Sequence, residues 1–212
     1  MKIGILAVQG DFEAHAATLA RMGIEYAFVR TPRDLEGVDA VILPGGESTT
    51  QWKFIVEEGL DKSLAEHAAK GGAIFGTCAG AILLAREVQN PAQQSLGLAD
   101  ITVVRNAYGR QLASEVRHGA TSISPEPIEM VFIRAPIIER VGPDVLVLAK
   151  SEDQPVLIRQ GRILIATFHP ELTNDSTVHE YFLRIANGNH AASIENDPLL
   201  DLADSGKDLW LT

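Results

Sequence analysis

The stretch that decides the fold is Ala73-Ile74-Phe75-Gly76-Thr77-Cys78-Ala79-Gly80, which contains the only cysteine of the chain. An apolar strand runs into a glycine-flanked turn, and a helix-like run, Ala81–Ala85, follows. Strand, tight turn and helix in this order form a nucleophile elbow, which presents its central side chain at the end of a sheet. The amide groups that begin the helix favour a thiolate there. Free cysteines are also common as inert core residues, but the two glycines favour the elbow.

Composition limits the class of protein. The chain has 212 residues, 46% of them hydrophobic, which suits one compact domain with a sizeable core. Its net charge of −10 argues against a nucleic-acid partner. A single cysteine excludes an internal disulfide and favours a reducing, cytoplasmic compartment. Met1–Val8 is interpreted as a first strand, and no apolar run approaches the roughly 18 residues of a membrane span, so we expect no membrane partner.

Strands and helices alternate through the first part of the chain. The expected strands are Lys2–Val8, Glu25–Arg30, Val38–Leu43 and Gly72–Thr77, and the expected helices are Phe12–Met22, Thr49–Glu57 and Leu60–Ala69. This order predicts a parallel sheet covered by helices on both faces. We therefore predict a three-layer, mostly parallel, flavodoxin-like α/β fold.

The texture changes after Leu98. Short apolar runs separated by turns predict a small antiparallel extension whose last strand returns to the main sheet; the runs are Ile101–Val104, Met130–Ile133, Val145–Ala149, Pro155–Arg159 and Ile163–Thr167. Asp175–Ala186 is the expected closing helix. We assign residues 1–188 to one domain. Residues 189–212 form an acidic tail, either partly disordered or docked through its leucines and Trp210.

A nucleophilic thiolate needs a base, and the base needs an orienting acceptor. His169-Pro170-Glu171 directly follows the apolar strand, at the end where active sites of α/β sheets collect. This makes His169 the candidate base and Glu171 its partner, against the alternative of a capping or surface histidine. Of the other histidines, we expect His67 and His179 to be solvated and His15 to face the interior or an interface; the position of His118 is not predicted.

An acyl-transfer site also needs donors for an oxyanion. The backbone N–H of Ala79 is one source, and the glycine-rich turn Pro44–Thr50 is another, because glycine allows its peptide to turn an N–H toward a substrate. A phosphate cradle is the alternative for this turn. The turn lacks the lysine of a P-loop, and Glu47 would repel an anion.

Three motifs, Gly76-Thr77-Cys78-Ala79-Gly80, Pro44-Gly45-Gly46-Glu47-Ser48 and Phe168-His169-Pro170-Glu171, together resemble those of the class I (triad) glutamine amidotransferases. Further stretches narrow the resemblance to the glutaminase subunit of pyridoxal 5′-phosphate synthase: Leu6–Gly10, Leu43–Thr50, Arg105–Gln111, Phe132–Pro136 and Phe168–Thr173. The resemblance covers about residues 2–187 with the motifs in the expected order, and the acidic tail departs from the family pattern.

This resemblance implies a three-layer α/β fold and hydrolysis of L-glutamine to glutamate and ammonia, which passes to a separate synthase subunit. It implies Cys78 as nucleophile, His169 as general base and acid, and Glu171 as orienting carboxylate. It further implies glutamine binding by Gly46, Glu47, Ser48, Arg105, Ile133 and Arg134, and an oxyanion site at the N–H groups of Gly46 and Ala79. No metal or cofactor is expected.

Some alternatives stay open on the sequence. The same cysteine, histidine and glutamate would serve a γ-glutamyl peptide hydrolase or another cysteine hydrolase, and a non-enzymatic regulatory module is a third reading. Arg105 and Arg134 would otherwise be surface ion pairs. Glu47 would either bind the substrate ammonium or hold the oxyanion loop. We also expect Gln9 and the first helix, including His15, to help dock the synthase and set that loop.

Overall fold

The computed structural model describes residues 1–105 and 114–188. The acidic tail and most of the Arg105–Gln111 motif lie outside these residues. Twelve strands are described: β1 (Lys2–Leu6), β2 (Glu25–Val29), β3 (Ala40–Leu43), β4 (Ala73–Thr77), β5 (Ala85–Gln89), β6 (Ala99–Val104), β7 (Ser114–Thr121), β8 (Ser124–Ile133), β9 (Ile137–Val141), β10 (Leu146–Ser151), β11 (Gln154–Gln160) and β12 (Ile163–Ala166). The α-helices in the same part of the chain are α1 (Phe12–Arg21), α2 (Ser48–Glu57), α3 (Leu60–Ala69), α4 (Ala79–Leu84) and α5 (Thr177–Ala186).

The larger sheet in the described residues has nine strands, in the order β2-β1-β3-β4-β12-β11-β10-β7-β8. The first five strands in this order are parallel, and the remaining four continue the sheet by antiparallel pairing. A separate three-stranded sheet has the order β5-β6-β9. Strand β12 returns to pair with β4 in parallel, as expected. The predicted three-layer α/β class is confirmed, and its antiparallel part is larger than the sequence indicated.

Two apolar cores cover the two faces of the sheet. Alternate residues of one strand point into different cores: Ile42 packs with α1 and α5, whereas Val41 and Leu43 pack with α2, α3 and α4. Because both faces are covered, β3 and β4 are buried along their whole length, which explains why their sequences are continuously apolar.

Three strands escaped the sequence analysis. The helix-like run ends at Leu84, and Ala85 begins β5 instead. Strand β7 is mostly exposed and polar, so it lacks an apolar alternation and is held by its pairing with β8. Strand β9 is short and pairs with β6. In all three cases the strand partner, rather than the local pattern, decides the structure.

The turn at Cys78 is so tight that the positions on both sides of it, Gly76 and Gly80, require glycine. Cys78 has φ 48° and ψ −100°, a conformation that costs a non-glycine residue energy. A Cβ on Gly76 would lie 2.8 Å from the carbonyl oxygen of Gly80, and a Cβ on Gly80 would collide with the carbonyl oxygen of Leu43. The turn therefore packs backbone against backbone at the end of β3.

No helix within residues 1–105 and 114–188 is both long and apolar enough to cross a membrane.

Replacing Gly80 by alanine should lower the free energy of unfolding by about 3 kcal/mol, because the added Cβ meets rigid backbone of β3 rather than a side chain. Urea denaturation measures this change. Gly23→Ala is the control: its φ of +69° strains an alanine, yet nothing lies within 4 Å of the added Cβ. It should cost only about 1 kcal/mol, and an equal or smaller loss for Gly80→Ala would contradict the packing described for the elbow.

Candidate active site

Cys78 and His169 meet because the strands that precede them are neighbours. Strands β4 and β12 pair in parallel with Thr77 opposite Ala166, so the segments that follow the two strands leave the sheet at the same end. Cys78 is 7% exposed and His169 3% exposed. Glu171 follows in the short 3-10 helix Pro170–Leu172, and its Oε1 lies 2.8 Å from Nδ1 of His169. The Cys78 side chain interacts with the same imidazole and raises its pKa.

The charges of these groups support one another. Burial by itself lowers the pKa of His169, but hydrogen bonds and charge interactions with Cys78 and Glu171 outweigh it and raise this pKa to about 10. Burial raises the pKa of Glu171, yet His15 and His169 bring it below its ordinary value. The arrangement therefore favours an ionised carboxylate beside an imidazolium, which is the partner that a cysteine thiolate needs.

Gly45 is a site residue that the sequence analysis did not single out. A Cβ at this position would lie 2.9 Å from Nδ1 of His169 and 3.4 Å from Cβ of Cys78. Only glycine therefore allows the loop after β3 to approach both side chains. The next residue, Gly46, has φ +151°, a backbone conformation that side chains rarely adopt. The structure thus explains why both of these positions in the Pro44–Thr50 turn are occupied by glycine.

The connection between β1 and α1 holds this glycine loop. The N–H of Asp11 donates to the carbonyl oxygen of Gly45 at 3.0 Å. The N–H of Glu47 donates to Oε1 of Gln9 at 2.8 Å. Nε2 of Gln51, a buried side chain of α2, donates to the carbonyl oxygen of Gln9 at 2.9 Å. Gln51 was also missed, although a polar residue among the apolar positions of a helix is a signal that could have found it.

A cavity of about 110 Å³ opens beside the sulfur. Every residue that the family resemblance assigned to glutamine or oxyanion binding lines it together with Cys78: Gly46, Glu47, Ser48, Ala79, Arg105, Ile133 and Arg134. Ile82 and Pro136 complete the lining and were not assigned a role. The structure thus brings into one cavity residues that are separated by up to about 90 positions in the sequence.

Two charged residues of the lining contact each other. Glu47 caps α2, accepting from the N–H groups of Thr49 at 3.3 Å and Thr50 at 2.7 Å. A hydrogen bond from the Thr50 hydroxyl is the main cause that lowers the Glu47 pKa. Nη2 of Arg105 lies 3.0 Å from the Thr49 hydroxyl and 3.8 Å from Oε1 of Glu47. The sequence analysis left two roles open for Arg105, an ion pair or a place in the glutamine site. In the structure Arg105 forms an ion pair with Glu47 and also lines the cavity.

The opposite wall comes from the end of β8. The carbonyl oxygen of Ile133 lies 3.9 Å from Sγ of Cys78. Arg134 has φ 47°, and its side chain is exposed at the cavity. On the near wall, the Ser48 hydroxyl donates to Oε1 of Gln93 at 3.0 Å, and Nε2 of Gln93 donates to the Ser48 carbonyl at 3.3 Å. Gln93, which no motif indicated, fixes Ser48.

The expectation that His67 and His179 are solvated was wrong. His179 is completely buried because α5 packs this face against the sheet, and His67 is half-buried where α3 meets Gly72. Burial lowers the pKa of both. His15 is also completely buried, so the interior reading holds and direct contact with a partner is excluded for this side chain. His118 lies exposed on β7.

Asp11, His169 and Glu171 offer ligand atoms that lie within 4.8 Å of one another, the arrangement in the described residues that most resembles a metal site. Nδ1 of His169 is already paired with Glu171, and Oδ2 of Asp11 is 3.8 Å from the same nitrogen. These contacts orient and charge the imidazole, so the triad itself accounts for the grouping.

We expect His169 to titrate near pH 10 in the wild-type protein, as followed by NMR of labelled histidine. Cys78→Ala and Glu171→Gln should each lower this pKa, because each removes a group that raises it and leaves the opposing effect of burial. Lys62→Ala, an exposed change on α3, should not move it. A wild-type His169 that titrates in the ordinary histidine range would contradict the ion-pair arrangement.

Comparisons with known proteins identify the family of this chain. A model of the "SNO glutamine amidotransferase family" matches residues 5–187. Pyridoxal 5′-phosphate synthase subunit PdxT of Koribacter versatilis is 51% identical over 190 residues, covering 89% of this chain and 98% of that protein. The subunit of the same name from Thermotoga petrophila is 47% identical over 186 residues, covering 87% and 99%. A solved structure described as a glutamine amidotransferase aligns with a TM-score of 0.83 and 46% identity, covering 87% of this chain and 98% of that one. The chain belongs to the SNO glutamine amidotransferase family.

Proposed function

We propose that this protein hydrolyses L-glutamine to L-glutamate and ammonia and supplies the ammonia to a separate synthase subunit that makes pyridoxal 5′-phosphate. The observation that carries this proposal is the composition of the cavity. The Cys78 sulfur, the backbone at Gly46 and Ala79, and Arg105 meet there, and Cys78 lies beside the pair formed by His169 and Glu171. Membership of the family and similarity to PdxT proteins over most of the chain support the same activity and partner.

The triad would divide the hydrolysis into two steps. The Cys78 thiolate attacks the side-chain amide carbon of glutamine, and the N–H groups of Gly46 and Ala79 stabilise the negative oxygen. The imidazolium of His169 gives its proton to the departing nitrogen, so that ammonia leaves and a γ-glutamyl thioester remains. Neutral His169 then removes a proton from water, the resulting hydroxide attacks the thioester, and glutamate leaves as the thiolate and imidazolium are restored.

The lining of the cavity suits the rest of the substrate. Arg105 offers a guanidinium to the α-carboxylate, and Glu47 and Ser48 offer oxygens for the α-ammonium. The carboxylate of Glu47 also caps α2, so it serves the loop in addition. No step of this scheme requires a metal or cofactor.

The proposed setting follows from the same reading. We place the protein in the cytoplasm, where a lone cysteine stays reduced and its synthase partner would be found. Residues 1–188 would form the amidotransferase domain. The tail 189–212 would be a separate segment.

Glutamate release from L-glutamine tests the activity directly, measured with and without the synthase subunit. Turnover should appear or rise with the partner, and Cys78→Ala should reduce it by at least about 10³-fold because the nucleophile is gone. Lys62→Ala should behave as wild type. Absence of glutamine turnover in the complex would overturn the proposal, and release from γ-glutamyl peptides instead would indicate a peptide hydrolase.

Gln9→Ala should lower the partner-stimulated rate by about tenfold to a hundredfold, because the glycine loop loses its bond to the Gln9 side chain. Gln154→Ala, an exposed change at the start of β11, is the matched control and should have no effect. Unchanged stimulation in Gln9→Ala would show that Gln9 does not set the loop.

A further inference from the structure

A chain of three polar side chains lies buried beneath the triad. Nε2 of His179 is 3.1 Å from Nδ1 of His15, and Nε2 of His15 is 3.1 Å from the Thr77 hydroxyl. All three residues are completely buried. The ring of Phe75 packs edge-to-face with both imidazoles. Its centroid lies 6.1 Å from that of the His15 ring and 5.7 Å from that of the His179 ring. Such a group of polar side chains in an apolar core is costly unless its hydrogen bonds are made.

His15 also faces the oxygen of Glu171 that the triad does not use. Oε1 of Glu171 bonds His169, whereas Oε2 is buried and has no hydrogen-bond partner within 3.5 Å among the described residues. Nε2 of His15 lies 3.5 Å from this oxygen. A buried carboxylate oxygen is stabilised when the nitrogen that faces it carries a proton, and destabilised when that nitrogen presents its lone pair. The proton of His15 therefore belongs on Nε2.

The position of His179 agrees with this tautomer. If Nε2 of His15 carries the proton, its Nδ1 accepts from the Nε2–H of His179. Nδ1 of His179, which has no hydrogen-bond partner in the part of the chain that the structure describes, is then a bare acceptor. In the opposite tautomer, His179 would hold its proton on Nδ1 as a buried donor without an acceptor. Unpaired buried N–H groups are rarer than unpaired acceptors. Burial lowers the pKa of both imidazoles, which favours neutral rings.

Thr77 extends the contact to the loop beside the sulfur. Its hydroxyl accepts from the backbone N–H of Gly45 at 3.1 Å. Gly45 is the residue that packs on both His169 and Cys78. His15 thus touches, on one side of its ring, the carboxylate that orients the base and the hydroxyl that holds the glycine loop.

We propose that His15 is a positioning residue: its neutral ring, protonated on Nε2 and held in that form by His179, fixes Glu171 and, through Thr77, the loop at Gly45. This assignment rests on the proposed glutaminase activity and extends it to a residue that cannot touch the substrate. His15 acts on Glu171 as Glu171 acts on His169, so its loss should impair the chemical step more than the binding of substrate.

The kinetic test compares His15→Leu with His15→Gln in the complex with the synthase subunit. A glutamine amide can place its nitrogen near the site of the imidazole Nε2, whereas leucine cannot donate. We expect His15→Leu to lower kcat for glutamine hydrolysis by about tenfold to a hundredfold, with KM changed by less than about threefold. His15→Gln should stay within about threefold of wild type. Leu19→Ala, a fully buried change on the same helix, should lower the thermal midpoint without changing kcat.

A second test does not depend on activity. NMR of labelled histidine in the free protein should show His15 as the neutral ring protonated on Nε2. Alkylation of Cys78 by iodoacetamide should be about tenfold slower in His15→Leu than in wild type, because a displaced Glu171 no longer holds the imidazolium. Should His15→Leu fail to fold, Thr77→Val removes the hydroxyl that bonds both Nε2 of His15 and the N–H of Gly45, and it should lower kcat in the same way.

The outcomes separate this inference from the proposed function. Wild-type kcat in His15→Leu, equal losses in His15→Gln and His15→Leu, or a proton on Nδ1 of His15 would each overturn the positioning role. If the wild-type complex does not hydrolyse glutamine, the glutaminase proposal fails, and the NMR and alkylation results still decide whether His15 orders the triad.

Discussion

The site depends on the position of β4 between β3 and β12. Both neighbours pair with it in parallel, so three strands end at one edge of the sheet: Leu43 lies opposite Gly76, and Thr77 opposite Ala166. The glycine loop, the nucleophile and the histidine each follow one of these ends. Parallel strands need crossover connections, and here the helices that make them also bury both faces of the sheet. The same pairing thus builds the core and assembles the chemistry.

Because three strand ends meet here, the backbone segments that follow them must pack closely against one another. Gly80 lies against the end of β3, and Gly45 lies against His169 and Cys78, so each leaves no room for a Cβ. Cys78 itself has a positive φ, although it carries a side chain. Strain of this kind persists only where the surrounding structure holds it, and the buried strands on either side of β4 provide that support.

Electrostatic balance is the second requirement. A carboxylate and an imidazole are buried together with the Cys78 thiol at the strand ends, and either of the two ionisable groups Glu171 and His169 would be unfavourable there without a partner. Their mutual contacts keep Glu171 ionised and raise the His169 pKa. Below them, two further histidines remain neutral in apolar surroundings. Histidine thus occurs in opposite charge states within one small region, according to whether its charged and hydrogen-bonding partners or its burial has the larger effect on its pKa.

The sequence by itself determined the fold class and the triad candidates, and its resemblance to the family named most of the other residues that line the cavity. Continuous apolar runs, glycines at the turns and the Cys78 and His169 motifs are local signals, and each sits beside the strand end that it follows. Only the tertiary structure decided what depends on neighbours distant in the chain. It placed polar β7 in the sheet through its partner β8, brought Gly45 against His169, and buried His15 and His179 together. A histidine in a polar-looking helix reads as solvated until the packing of that helix is known, because burial is a property of contacts and not of composition.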